Sequence, residues 1–179
     1  MRTLPEYSKV YPYDITRTIR QHGKDIDAVR RASKGSEEYA YTVTWTGSTG
    51  SATLGNGTLV GFYRRVGSGV NFRVQLTWGS TTVGPTGIWI LSLPIPPDCS
   101  QAEFVGSSLV FDTSATAGYP GSCLITTESG ANPEGRVYAW HAGNVGRTSN
   151  AIPITWASAD IWRVSGWYTV FEEDIEIPE

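Results

Sequence analysis

Few residues of this chain have the types and spacing that covalent chemistry needs. It has two histidines, His22 and His141. A nucleophilic hydrolase needs a nucleophile, a base and a group that orients the base. His22 falls within a helical pattern, which leaves His141, just after Val137-Tyr138-Ala139-Trp140. No Gly-x-Ser-x-Gly elbow singles out a serine for it, so it is read as a surface or loop histidine. Glycoside cleavage needs two carboxylates about 5–10 Å apart in a cleft. Asp98, Glu103, Asp112, Glu128, Glu134 and Asp160 are instead spread over strand ends and loops, where solvated acids are ordinary. No two His or Cys residues have ligand spacing, and there is no Asp-x-Asp-x-Asp-Gly loop. The expectation is a non-enzyme with no metal and no cofactor. Cys99 and Cys123 lack a CxxC spacing and are read as reduced structural thiols. The acidic run Glu172-Glu173-Asp174-Ile175-Glu176-Ile177-Pro178-Glu179 reads as a solvated tail or a charged edge strand.

The aromatic residues suggest binding rather than catalysis. There are seven tryptophans: Trp45, Trp78, Trp89, Trp140, Trp156, Trp162 and Trp167. Exposed rings stack on sugar faces, but each Trp also buries a large apolar area, so most are expected in a core or a subunit interface. Trp140, His141 and Trp156 flank the polar stretch Gly143-Asn144-Val145-Gly146-Arg147-Thr148-Ser149-Asn150. With Asn144 and Arg147 they form the candidate glycan-contacting surface. The small-residue stretches Thr113–Gly121 and Gly130–Gly135 are read as loops at one end of a rigid scaffold, where binding residues concentrate or inert connections lie.

The scaffold itself is expected to be mainly β. The chain has 179 residues with Gly 20 and only 17% charged residues, a turn-rich composition sized for one β-domain plus an appendage. A net charge of −3 with two isolated Arg-Arg pairs gives no electrostatic reason for a nucleic-acid partner. The start Met1-Arg2-Thr3-Leu4-Pro5-Glu6 lacks the apolar stretch of a secretion signal, and no apolar run is long enough for a bilayer. Folding in a cytoplasm is the expectation. Strands are expected at 39–46, 58–66, 70–78, 87–93, 103–111, 122–127, 136–140, 152–155 and 162–171. In Val70-Asn71-Phe72-Arg73-Val74-Gln75-Leu76-Thr77-Trp78 apolar and polar residues alternate, so one face is buried and the other wetted. Such strands, separated by Gly, Pro, Ser and Asn clusters, predict a two-sheet sandwich of jelly-roll type.

Residues 1–35 differ. Pro5, Pro12 and the tyrosines Tyr7, Tyr11 and Tyr13 predict an extended anchoring arm. Asp14 is a good N-cap for a helix from Ile15 to Ser33. Ile15, Ile19, His22, Ile26 and Val29 fall at heptad d, a, d, a and d positions, with Asp25 at g and Arg30 at e. Isoleucine at a, with Ile or Val at d, favours three strands. The same period also fits an amphipathic helix laid on a β-domain, and Gly23 costs about 1 kcal/mol in either case.

Two segments resemble known families. Gly55-Asn56-Gly57-Thr58-Leu59-Val60-Gly61-Phe62-Tyr63-Arg64-Arg65, then Phe72-Arg73-Val74-Gln75-Leu76-Thr77-Trp78-Gly79-Ser80-Thr81-Thr82, then Gly87-Ile88-Trp89-Ile90-Leu91-Ser92-Leu93-Pro94 resemble a β-domain at the C-termini of tail and fibre proteins of actinobacteriophages. Asp160 through Ser165-Gly166-Trp167-Tyr168-Thr169-Val170 is similar to the closing strands of complement-C1q-like and tumour-necrosis-factor-like jelly rolls, usually homotrimers. The resemblance implies a virion structural protein, trimeric, attached through its N-terminal arm to other virion proteins, and contacting a host-surface glycan or protein. A capsid head fibre or decoration protein of the same build, recognising no specific receptor, is the alternative it leaves open.

Overall fold

The computed structural model describes residues 37–98, 103–128, 132–141 and 146–171, together with Lys24, whose backbone is helical. The chain divides into two units, Met1–Glu37 and Glu38–Glu179. The expected arm tyrosines Tyr7, Tyr11 and Tyr13, the heptad residues Ile15, Ile19, His22, Ile26 and Val29, and Asn144 lie outside the described residues.

The second unit is mainly β. Its strands are β1 (Glu38–Tyr41), β2 (Trp45–Thr49), β3 (Thr58–Val66), β4 (Gly69–Thr77), β5 (Thr86–Ser92), β6 (Glu103–Asp112), β7 (Ala117–Glu128), β8 (Asn132–His141), β9 (Gly146–Arg147) and β10 (Ile161–Thr169). They form one antiparallel sheet in the order β1-β3-β4-β10-β6-β7-β8-β5-β2, with β9 added beside β8. β3 and β4 make the hairpin expected from the sequence, closed by Gly67-Ser68 with Gly67 at φ 60°; glycine takes that left-handed conformation without steric cost.

The sheet curls strongly. β1 and β2 are the two ends of the ladder, yet only Thr42, Val43 and Thr44 connect them, a reach of at most about 14 Å. Trp162 on β10 and Trp89 on β5 are four ladder steps apart, roughly 19 Å in a flat sheet, but their ring centroids are 5.7 Å apart. The Tyr41 hydroxyl donates to the Ser92 carbonyl at 3.3 Å, joining β1 to β5. The ladder is thus one continuous antiparallel sheet curled over a single core, an arrangement consistent with the β-sandwich expected from the sequence.

The core follows from the alternation. Val70, Phe72, Val74 and Leu76 are at most 3% exposed, and their partners across β10, Trp162, Val164 and Tyr168, are equally buried. Trp89 lies at the centre of a cluster of rings, with centroids 4.9 Å from Trp45, 5.6 Å from Trp78 and 4.8 Å from Trp156. Its indole N–H donates to the Pro85 carbonyl at 3.1 Å, so the buried ring leaves no unpaired donor.

Several expected boundaries move. The single strand expected at 39–46 is β1 and β2, interrupted where the chain crosses from one end of the ladder to the other. The expected loop Thr113–Gly121 is a turn over 113–116, after which β7 begins at Ala117. Pro120 is tolerated because β8 pairs with β7 only from Ser122 onward, so no neighbour on that side needs its missing N–H. Residues 152–155 form no strand; Ile152 makes one bridge to Ser149, before a cis bond to Pro153.

Candidate functional site

Five of the residues that carry the family resemblance, Asn56, Gly79, Ser80, Thr81 and Thr82, form a clasp. The Asn56 side-chain oxygen accepts from the Thr81 amide and hydroxyl, each at 2.9 Å, and its Nδ2 donates to Ser80 Oγ at 3.0 Å. The Asn56 amide donates to Thr81 Oγ1 at 2.9 Å, and the Gly79 amide to Thr82 Oγ1 at 2.9 Å. Gly79 packs so close to Asn56 Oδ1 that any Cβ there would overlap it. The Gly-Asn-Gly turn before β3 is thereby locked to the Trp-Gly-Ser-Thr-Thr stretch after β4. These residues build the fold and offer no free chemistry.

The polar residues considered for catalysis are also engaged in structure. Asp160 is 1% exposed; its Oδ1 accepts from the Thr113 amide at 2.9 Å and its Oδ2 from the Ala157 amide at 2.7 Å. Asp112 accepts from Ser114 Oγ at 2.7 Å and the Ala115 amide at 2.9 Å, bonds that hold its carboxyl below the usual range. His141 is not a surface residue: it is 1% exposed, and Nε2 lies 3.0 Å from Oγ1 of the buried Thr148. Burial is the main cause that lowers its pKa, against the opposing effect of nearby backbone carbonyls. Alternation along β8 explains the position, since Val137, Ala139 and His141 face inward and Trp140 outward. Among the described residues no group of three or more His, Cys, Asp or Glu converges as metal ligands.

The structure brings together only part of the expected glycan surface. Trp140, 40% exposed, pairs across the ladder with Arg147 on β9. The Arg147 guanidinium lies 5.0 Å from the Tyr138 ring centroid and 5.8 Å from that of Trp140. With Ile88, Ser149 and Ile152 they line a shallow depression of about 380 Å³. His141 points away from it into the core. Trp156 is held in the tryptophan cluster, stacked on Trp78 at 5.5 Å with its N–H donated to the Ser149 carbonyl at 2.8 Å. Of the expected set, Trp140 and Arg147 share a surface, while His141 and Trp156 serve the interior.

A second, larger groove of about 680 Å³ lies on the outer face of β1, β3, β4, β10 and β6. Its floor is two cross-strand rows. One runs Glu38, Arg64, Asn71, Trp167; the next runs Ala40, Phe62, Arg73, Ser165, Ser107. Arg73 reaches diagonally to Glu38 in a forked pair, Nε to Oε1 at 2.8 Å and Nη2 to Oε2 at 2.6 Å, and lies 4.5 Å above the Phe62 ring centroid. The Arg73 hydrogen bond and charge hold the Glu38 carboxyl below the usual carboxylate range. At the other end stands Trp167, 51% exposed. The β6 ladder on β10 stops at Gly106–Gly166, so Trp167 has a paired neighbour only on the β4 side.

This groove was not singled out in the sequence, though it left a signal there. In β10 the even-numbered Trp162, Val164 and Tyr168 are buried, and Trp167 has the opposite phase. A tryptophan on the wet side of a strand is an apolar ring without a core to fill.

No protein-family model, no curated protein and no solved structure matches this chain.

Proposed function

We propose that this chain is a bacteriophage virion structural protein, a tail-associated trimeric fibre or receptor-binding protein. Residues 1–35 provide the anchoring arm and a short trimerising helix, and the β-domain, of jelly-roll type, projects toward the host surface. The observation that supports this best is where the resemblance to actinobacteriophage tail and fibre domains falls. Five of its residues, Asn56, Gly79, Ser80, Thr81 and Thr82, close the clasp at the open end of the β3–β4 hairpin. Asn56, Ser80 and Thr81 are exposed, yet their mutual hydrogen bonds tie the turn before β3 to the stretch after β4, which gives the likeness a bearing on the chain path. The exposed faces bearing Trp140 and Trp167 are where such a domain would meet a partner. The partners in this reading are two further copies, other virion proteins at the arm, and a host-surface glycan or protein. Folding takes place in the host cytoplasm before assembly into the virion.

Sedimentation equilibrium of the full chain, paired with immunogold labelling of particles of the encoding phage, tests the proposal. A trimer mass with label at the tail supports it. A trimer with label over the head favours the head fibre or decoration protein. A monomer, or particles without label, overturns the fibre reading.

A further inference from the structure

We propose that the outer-face groove between Glu38 and Trp167 is a saccharide-binding site, in which a pyranose ring stacks on Trp167 beside Asn71 and a second sugar unit, where present, meets the Glu38–Arg73 pair. The inference rests on the attachment reading for its biological setting and goes beyond it in naming a ligand class and the residues that hold it.

Three observations carry it. The first is the platform. Trp167 stays half exposed near the end of β10, paired only on the β4 side, and its Nε1 edge lies across Gly69, where a Cβ would fall 2.6 Å from Nε1. The missing side chain at Gly69 lets the indole lie down against the backbone. A ring held in this way loses little rotamer freedom on binding. The second is the polar rim. Glu38 supplies carboxylate acceptors, Arg73 and Arg64 supply donors, and the Asn71 amide supplies both. Paired hydroxyls on a pyranose need donors and acceptors side by side, and the forked Arg73–Glu38 contact presents them in a fixed geometry above Phe62. The third is size and character: a cleft of about 680 Å³ falls within the usual range for small-ligand sites. Its lining sets the apolar Phe62, Phe72 and Trp167 beside the charged Glu38, Arg64 and Arg73, whereas the centre of a subunit interface is depleted in charge.

The rows also set the reach. Glu38 and Trp167 are three ladder steps apart, roughly 14 Å, so one ring on Trp167 leaves room for a second toward Arg73. Arg64 exceeds the charge that Glu38 balances on Arg73, so a sugar acid is accommodated there as well as a neutral sugar. A shallow site of this kind binds weakly per copy, and repetition on an oligomer raises the avidity.

Saturation-transfer NMR on the full chain tests the proposal with three probes: a methyl hexoside, a methyl N-acetylhexosaminide and a methyl uronide, each at millimolar concentration. The expected result is transfer to one face of at least one ring. The Trp167→Ala variant should lose it, with affinity falling about tenfold or more, while Trp167→Phe keeps part and Trp140→Ala keeps all. Near-UV circular dichroism checks that the variants are folded. If the uronide binds best, loss of that preference in Arg64→Gln supports the assignment of its carboxylate to Arg64. No transfer from any probe, or binding that survives Trp167→Ala in full, overturns the inference. Loss in Trp140→Ala instead of Trp167→Ala also overturns it. Binding of fluorescent protein to host cells, run alongside, separates the two readings. Cell binding undiminished by Trp167→Ala overturns the groove and leaves attachment standing. Sugar binding without cell binding supports the groove and removes the attachment reading.

Discussion

Replacing Asp160 with alanine should cost about 3–4 kcal/mol of folding stability. The carboxylate is 1% exposed and bridges two loops: Oδ1 takes the Thr113 amide in the β6–β7 turn, and Oδ2 takes the Ala157 amide in the loop that leads into β10. The same loop is fixed to Trp78 by backbone bonds of 2.8 Å in both directions, from Trp78 N to Asp160 O and from Ala159 N to Trp78 O. Hydrogen bonds to a charged acceptor are worth roughly 1.5–3 kcal/mol each, and their loss strands two amides. Two such bonds sum to about 3–6 kcal/mol; water entering the vacated space and release of the buried charge reduce this toward the lower end. Asp160→Asn keeps one acceptor and turns an NH2 toward the second amide, so about 2 kcal/mol is expected.

Urea unfolding followed by tryptophan fluorescence measures both. With a slope of about 2 kcal/mol per molar urea for a domain of this size, the alanine midpoint should fall by roughly 1.5–2 M and the asparagine midpoint by about 1 M. Neither shift should depend on salt, because the partners are backbone dipoles and not mobile charges. An alanine variant within about 0.5 kcal/mol of the parent, or an asparagine variant equal to it, would show that the carboxylate does not hold these loops.

Three further outcomes follow from the same geometry. Asn56→Ala removes three exposed side-chain hydrogen bonds from the clasp and should cost about 1–2 kcal/mol in urea unfolding, at roughly 0.5 kcal/mol each; no loss would mean that the clasp is incidental. His141 is held neutral in the fold, its pKa lowered mainly by burial, so the unfolded chain takes up the extra proton. Stability is then complete above the unfolded value near 6.5 and falls as the pH drops below it. Thermal midpoints between about pH 7.5 and 5 should decline, and His141→Gln should flatten the decline; a parent flat over that window refutes the assignment. Cys123 is fully buried, with its thiol pushed up to about 12. In a Cys99→Ser background the native protein should therefore resist a thiol reagent at pH 8 and react only in denaturant, and rapid native labelling would contradict its burial.

The inner face of the sheet was more legible than the outer. Period-two alternation in β4 gave that strand's part of the core directly, because only one phase of a strand can be buried and an error of one residue would turn every valine outward. The hairpin at Gly67-Ser68 was equally plain. What escaped was whatever depends on which strand lies beside which. Pro120 looked like a loop residue because its side of β7 was not known to lack a partner. Trp156 looked like a surface ring because nothing local in Ile154-Thr155-Trp156-Ala157 says that Trp78 and Trp89 stand opposite it. His141 was assigned to a loop because the inward phase of β8 had not been extended to its last residue.

The outer groove is the sharper case. Its residues come from five strands spread over residues 38 to 167, and the only local window that holds several of the partners that matter is the β3–β4 hairpin, with Phe62, Arg64, Asn71 and Arg73. Yet three residues there carry a local anomaly: a phenylalanine on the wet phase of β3, a glycine where β4 begins, and a tryptophan out of phase in β10. Surface positions on a sheet are under little stability constraint, so small polar residues would serve as well for folding. A bare ring laid over a glycine, and a forked ion pair set on a phenylalanine, leave apolar area in water and tie up side chains that folding does not require. Features that folding does not need, gathered on one face by the ladder, are what a binding surface leaves in a structure. That is why the groove, and not the better-buried cluster of tryptophans, is the place to test for ligand binding.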